Sequence, residues 1–172
     1  MRFTPVLASL AGVLLLAACG ATETPSAAPA AASSAVSGTA SATGVTELKT
    51  TTTALGDVVS DGSGMTLYMF TKDAKDATSS ACTGECLVTW PPAIAGPGLP
   101  QLKGVTGKVG TIDTEDGRKQ LTLSGWPLHY FAKDEAPGAV LGQGIDGVWY
   151  VLDAAGNPVK TTVDIGSPGG GY

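Results

Sequence analysis

Residues 66–92, TLYMFTKDAKDATSSACTGECLVTWPP, open on an outline that residues 127–134, PLHYFAKD, repeat: aromatic and apolar side chains in alternation, then Lys-Asp. The two stretches align without a gap. Gly64, Leu67, Tyr68, Phe70, Lys72 and Asp73 correspond to Gly125, Leu128, His129, Phe131, Lys133 and Asp134, each pair 61 positions apart. Each copy is later followed by a tryptophan, Trp90 and Trp149, now 59 apart. This is a tandem repeat. Two copies are too few for a solenoid, so the expectation is two related β units packed on one another around a shared core.

The β reading rests on short alternating runs separated by polar turn chemistry. Asp61-Gly62-Ser63-Gly64 separates LGDVV from MTLYMF, and Glu115-Asp116-Gly117 separates VGTI from KQLTL, two hairpin signals. Ala154–Pro158 supplies a third turn after VWYVL. In TLYMF, period two puts Tyr68 and Phe70 on one face and Leu67 and Met69 on the other, and His129 and Phe131 likewise share a face. Asp73 and Asp134 fall just past the strand ends, where a carboxylate accepts bonds from nearby backbone N–H groups. No long helical periodicity is present, and only Gly84–Thr89 suits a short helical turn. The fold class is therefore mainly β: two hairpin-based repeats forming one small antiparallel domain.

The N-terminal end reads as an address. Arg2 precedes VLASLAGVLLLAA, an apolar and small-residue run too short for a membrane span of roughly 20 residues, so residues 1–18 read as a secretion signal. The run ends in Leu16-Ala17-Ala18-Cys19-Gly20, which resembles the lipobox of bacterial lipoproteins. That resemblance implies a diacylglyceryl group on Cys19, cleavage before it, and attachment to the outer face of the cell membrane through the acyl chains. An ordinary signal peptide with a cysteine near its end is the alternative. From there to about Thr53 the chain is almost wholly Ala, Ser, Thr, Pro, Gly and Val, with no aromatic residue between Phe3 and Tyr68. Such a composition predicts a flexible tether over 19–53, with a mean span of roughly 30–35 Å. The expected folded domain covers 54–165, with repeat one at about 54–99 and repeat two at about 105–160, followed by a Gly-rich tail at 166–172.

The repeat motif is similar to that of the bacterial secreted-repeat lipoproteins, a family described by Tyr-x-(Phe/Trp/Tyr)-x-x-Asp and of unknown function. Tyr68, Phe70 and Asp73 fit outright, and Cys82-Thr-Gly-Glu-Cys86 followed by Trp90-Pro91-Pro92 resembles the segment usual in the first repeat. The second copy departs, carrying His129 where the motif has Tyr. The resemblance implies an envelope location and a two-repeat architecture, and brings no activity with it.

Three cysteines, less the lipidated Cys19, leave Cys82 and Cys86 as a pair in an exported chain, for which a disulfide is the default. The competing reading is a redox or metal site: C-x-x-x-C with a distant histidine is similar to the ligand set of Sco-type copper chaperones. Two thiolates and His129, the sole histidine, suit Cu(I). No cofactor is expected on the first reading, and copper on the second.

Other chemistry is thinly supported. One histidine in a tyrosine slot, with no G-x-S-x-G, argues against a hydrolase triad. Asp113–Gly117 resembles half a calcium loop and lacks the closing Glu. Loss of the signal removes Arg2 alone among charged residues, leaving 9 basic against 15 acidic side chains. A net charge of −6 argues against nucleic acid as a partner. The sequence-level expectation is an envelope lipoprotein whose aromatic-rich β domain binds an envelope protein or a small ligand. No catalytic residue is assigned.

Overall fold

The computed structural model describes residues 44–161. The signal segment, Cys19, the tether as far as residue 43 and the 166–172 tail lie outside the described residues. The strands are β1 (Glu47–Thr53), β2 (Gly56–Asp61), β3 (Tyr68–Phe70), β4 (Gln101–Lys103), β5 (Val109–Asp113), β6 (Lys119–Leu123), β7 (Trp126–Pro127) and β8 (Trp149–Val151). One short helix, α1 (Cys86–Thr89), falls within the predicted helical turn, and a 3-10 turn occupies Ile145–Gly147. The sheets run β2-β1-β4, β3-β8 and β5-β6-β7. Apart from β4, which lies parallel to β1, every pairing of these strands is antiparallel.

The turn chemistry works as its residues dictate. After β2, Asp61 Oδ1 accepts from the N–H groups of Ser63 (2.9 Å) and Met65 (3.0 Å), and Gly64 supplies the left-handed conformation, φ +90°, that completes the reversal. Between β5 and β6, Thr114 donates to Asp116 Oδ1 at 2.6 Å. After β8, Asp153 Oδ1 accepts from Ala155 and Asn157 in the same manner.

Alternation along the strands divides the interior into two apolar clusters. Leu67 and Met69 join Leu48, Val59, Leu121, Leu123, Leu128, Tyr130 and Leu152 in one. Tyr68 and Phe70 join Val58, Trp90, Phe131, Val140, Trp149 and Val151 in the other. The Tyr68 strand is therefore a partition with a cluster on each side, which is why neither of its faces is polar. Its two edges are also occupied. β8 pairs along one, in the register Tyr68↔Val151 and Phe70↔Trp149, and on the other Tyr68 and His129 exchange backbone bonds of 2.8 and 2.9 Å. Both neighbours of this first-copy strand thus come from the second copy.

The start of the domain corrects the expected boundary at Thr53. Residues 47–53, ELKTTTT, form the middle strand of their sheet, Leu48 is fully buried and Val45 is 5% exposed. Composition suggested a tether because only one large apolar side chain is present. A run of β-branched threonines nonetheless suits an extended strand, and a single inward leucine suffices when both edges are paired. Thr51 and Ser60 hydroxyls, 2.7 Å apart, link β1 to β2 across the sheet.

Candidate functional site

The motif residues meet across the two copies. Tyr68 of the first copy donates its phenol proton to Asp134 of the second at 2.6 Å. The same hydroxyl accepts from the Gly142 N–H at 3.2 Å, and Asp134 Oδ1 accepts from Leu141 N–H at 2.9 Å. Gly142 permits this approach: a Cβ there would lie 2.8 Å from the Trp90 ring and 2.9 Å from the Tyr68 ring. Burial raises the pKa of both partners; for Tyr68 the adjoining carboxylate adds to the rise, and for Asp134 the phenol bond partly offsets it.

The reciprocal contact, from the second copy to the first, is built differently because His129 replaces tyrosine. Ser80 fills the space. Its hydroxyl donates to Asp73 Oδ1 at 3.0 Å and lies 3.3 Å from His129 Nε2. Asp73 Oδ1 also accepts from Ala81 N–H at 2.6 Å, the counterpart of the Leu141 bond to Asp134. Gln120 donates one amide proton to the Leu128 carbonyl (2.9 Å) and the other to His129 Nε2 (3.1 Å). Nε2 is then an acceptor, so the ring proton sits on Nδ1. Burial lowers the His129 pKa to about 3, opposed weakly by the Pro127 carbonyl, although Nδ1 makes no hydrogen bond of ordinary geometry. Asp73 moves the other way, raised by burial, with Oδ2 unpaired.

These contacts do not form a hydrolase triad. The carboxylate holds the serine rather than the histidine, and a ring that stays neutral down to about pH 3 is a poor general base.

The remaining motif residues form a column of rings. Phe70 stacks on Trp149 (centroids 4.2 Å apart), Trp149 on Trp90 (3.8 Å, 5° between planes), and Trp90 leans on Phe131 (4.5 Å, 32°). The Phe of each copy rests on the Trp of the other. Tyr68 meets Trp90 edge-on at 5.4 Å, and His129 meets Trp149 edge-on at 5.3 Å, so the slots match even where the residues differ.

Cys82 and Cys86 are joined by a disulfide, with Cα atoms 5.4 Å apart. The bridge closes the loop that leads into α1, and the N–H of Trp90 caps that turn on the Cys86 carbonyl at 2.8 Å. Cys82 is buried and its N–H donates to Ser80 Oγ at 3.0 Å, so the loop also positions the serine between Asp73 and His129. His129 lies beyond Ser80, fully buried, while the two sulfurs are bonded to each other. Of the three candidate copper ligands, the two sulfurs are thus taken up in the disulfide and His129 Nε2 faces Gln120 and Ser80.

Beside this network a groove of about 1060 Å³ opens between the cysteine loop, the Pro91–Gly96 segment and the Asp113–Gln120 hairpin. Ser80, Gln120 and Tyr130 line it, and Leu87, Pro91, Pro92 and Ile94 give it apolar walls. Ser80 and Gln120 were not singled out by sequence. Ser80 sits in a low-complexity ATSSACTG run and Gln120 on a strand that otherwise reads as plain alternation.

Fold and site together define a duplicated β domain whose two copies complete each other's aromatic and carboxylate contacts. Residues 49–94 and 110–153 each match a family model described as a secreted repeat of unknown function. The matches cover more than half of the chain, which belongs to that family of secreted proteins. No curated protein and no solved structure matches it. Among the described residues no helix is long and apolar enough to cross a membrane.

Proposed function

We propose that this chain is a lipid-anchored protein of the bacterial cell envelope, held to the outer face of the membrane through Cys19, and that its β domain is a binding module for an envelope protein or a small ligand. The groove carries the binding half of this reading. Its volume, about 1060 Å³, is at the upper end of ligand-sized clefts. Two of its lining residues, Ser80 and Gln120, are held in place by hydrogen bonds to Asp73 and His129 behind them. A partly apolar cleft with one charged wall, Asp113–Lys119, beside a neutral buried histidine, suits recognition better than proton transfer. The lipobox resemblance carries the anchoring half.

Each half has its own experiment. The Cys19→Ser protein should leave the membrane fraction while the parent stays, and retention in equal proportion would count against the anchor. A photo-crosslinking residue at Ile94, inside the groove, should capture a partner or ligand of defined mass on intact cells. The same residue at Lys160, outside the groove, should not; equal labelling from both positions would remove the groove from the reading.

A further inference from the structure

Gln120 is 2% exposed, yet it lines the groove. Both of its hydrogen bonds run through Nε2, which donates to the Leu128 carbonyl and to His129 Nε2. The Leu128 oxygen can only accept, so the amide cannot be turned over, and Oε1 faces away from both partners. Among the described residues nothing donates to Oε1. Thr66 Oγ1, Asp73 Oδ2 and His129 Nδ1 are buried polar atoms sealed off without a partner, and Gln120 Oε1 is not one of them. It is unpartnered but not sealed. On a side chain otherwise buried, this oxygen is the atom that opens into the groove.

Backbone pairing sets apolar side chains beside it. Ile94 stands opposite Gln120, and Pro92 opposite His129, across antiparallel bridges. The bonds around the first bridge, from Ala95 N–H to Lys119 and from Leu121 N–H to Ala93, both 2.8 Å, lie to either side of the pair. Ile94 and Gln120 are thus a non-hydrogen-bonded pair, the kind whose side chains come closest. Pro92 and Ile94, two residues apart, project to the same face, and both line the groove. Ser80 and Tyr130, also on the lining, have committed their hydroxyls, Ser80 to Asp73 and the Cys82 N–H, Tyr130 to Asp61 Oδ2 at 3.0 Å. On the charged wall, Arg118 and Lys119 are held by Asp116 and Asp113, so Glu115 is the charge left without an ion pair among the described residues.

We propose that the groove selects a flat apolar molecule carrying an N–H donor, with the donor on Gln120 Oε1 and the ring against Pro92 and Ile94; this deepens the binding-module reading and rests on it. A ligand that covers Oε1 takes it out of water. One without a donor leaves that oxygen unpaired, and a carboxylate would set acceptor against acceptor beside a wall whose cations are already paired.

Indole and benzothiophene, nearly equal in shape and differing in the N–H, separate donor recognition from apolar fit. In ¹H–¹⁵N NMR titrations of the protein, indole should shift the Gln120 side-chain amide and the Ile94 backbone signal saturably and leave that of Lys160 in place. It should bind about three- to tenfold more tightly than benzothiophene, the difference one neutral hydrogen bond makes. In Gln120→Met, which keeps the length without the oxygen, the preference should vanish. The comparison of the two probes in the parent does not depend on how well that variant folds. Equal affinities in the parent, a preference that persists in Gln120→Met, or no shift at Gln120 with either probe would each overturn the proposal. None of these touches the broader reading of the groove, which falls if crosslinking from Ile94 and from Lys160 is equal.

Discussion

Removing a single oxygen from Tyr68 tests whether the two copies are truly interdependent. Tyr68→Phe leaves the ring, and its edge contacts with Trp90 and Phe131, in place. It takes away one donor and one acceptor at a fully buried position. Asp134 Oδ2 loses its partner, and the Gly142 N–H loses the oxygen it donates to. A buried group left unpaired costs about 1–3 kcal/mol, and the carboxylate belongs at the upper end of that range. Relief from burying the phenol hydroxyl returns part of this, so the net loss should be about 2–4 kcal/mol. At about 4 °C per kcal/mol for a domain of this size, the melting temperature should fall by roughly 8–16 °C. Urea unfolding followed by tryptophan fluorescence gives the free energy directly. The pH dependence supplies a second readout. The phenol bond lowers the Asp134 pKa against the rise due to burial, so the variant should hold its Asp134 proton to higher pH than the parent. A folded state that holds a proton the unfolded chain releases is favoured by acid, so the deficit should shrink as pH falls toward 4. A loss under about 1 kcal/mol, unchanged between pH 7 and pH 4, would show that the contact between copies is incidental.

Two further outcomes follow from the same contacts. His129 titrates at about 3 when folded and near 6.5 when unfolded, so between those values only the unfolded chain takes the proton, and its stabilising effect is complete above about pH 6.5 and lost as pH falls. This predicts a loss of about 2 kcal/mol from pH 7 to pH 5, flattened in His129→Gln, whereas Asp73 and Asp134, raised by burial, act in the opposite sense at the acid end; an identical slope in parent and variant would assign the loss elsewhere. Phe70→Ala and Phe131→Ala should each cost roughly 3–5 kcal/mol, more than the roughly 2 kcal/mol expected for Cys82→Ser/Cys86→Ser, whose bridge closes a short loop. Should the cysteine variant keep full stability yet lose copper that the parent retains through purification, the metal reading would replace the structural one.

The repeat, its faces and its turns were legible because each depends on local chemistry. Period two alone assigned Tyr68 and Phe70 to one cluster and Leu67 and Met69 to the other. What sequence could not convey was the exchange between copies. Aligning Tyr68 with His129 suggests that the two play the same part, but not that each faces the other copy's aspartate. Nor does the His129 departure announce Ser80, whose role follows only from an imidazole being shorter than a phenol. The ELKTTTT strand was missed for a related reason: its stability comes from two neighbours and one buried leucine, not from its own apolar content.

The exchange of partners bears on how such a chain comes to fold outside the cell. A protein threaded through a membrane N-terminus first presents the Tyr68 strand early, while Phe131, Asp134 and Trp149 are still to emerge. Until they arrive, Phe70 has no indole to rest on, Tyr68 has no carboxylate, and neither edge of the strand has its second-copy neighbour. The first half has its own β1–β2 hairpin and Cys82–Cys86 bridge, but the ring column and the Tyr68–Asp134 bond cannot close until the second copy has crossed. The interlock that holds the finished domain together thus also ties completion of the first copy to arrival of the second.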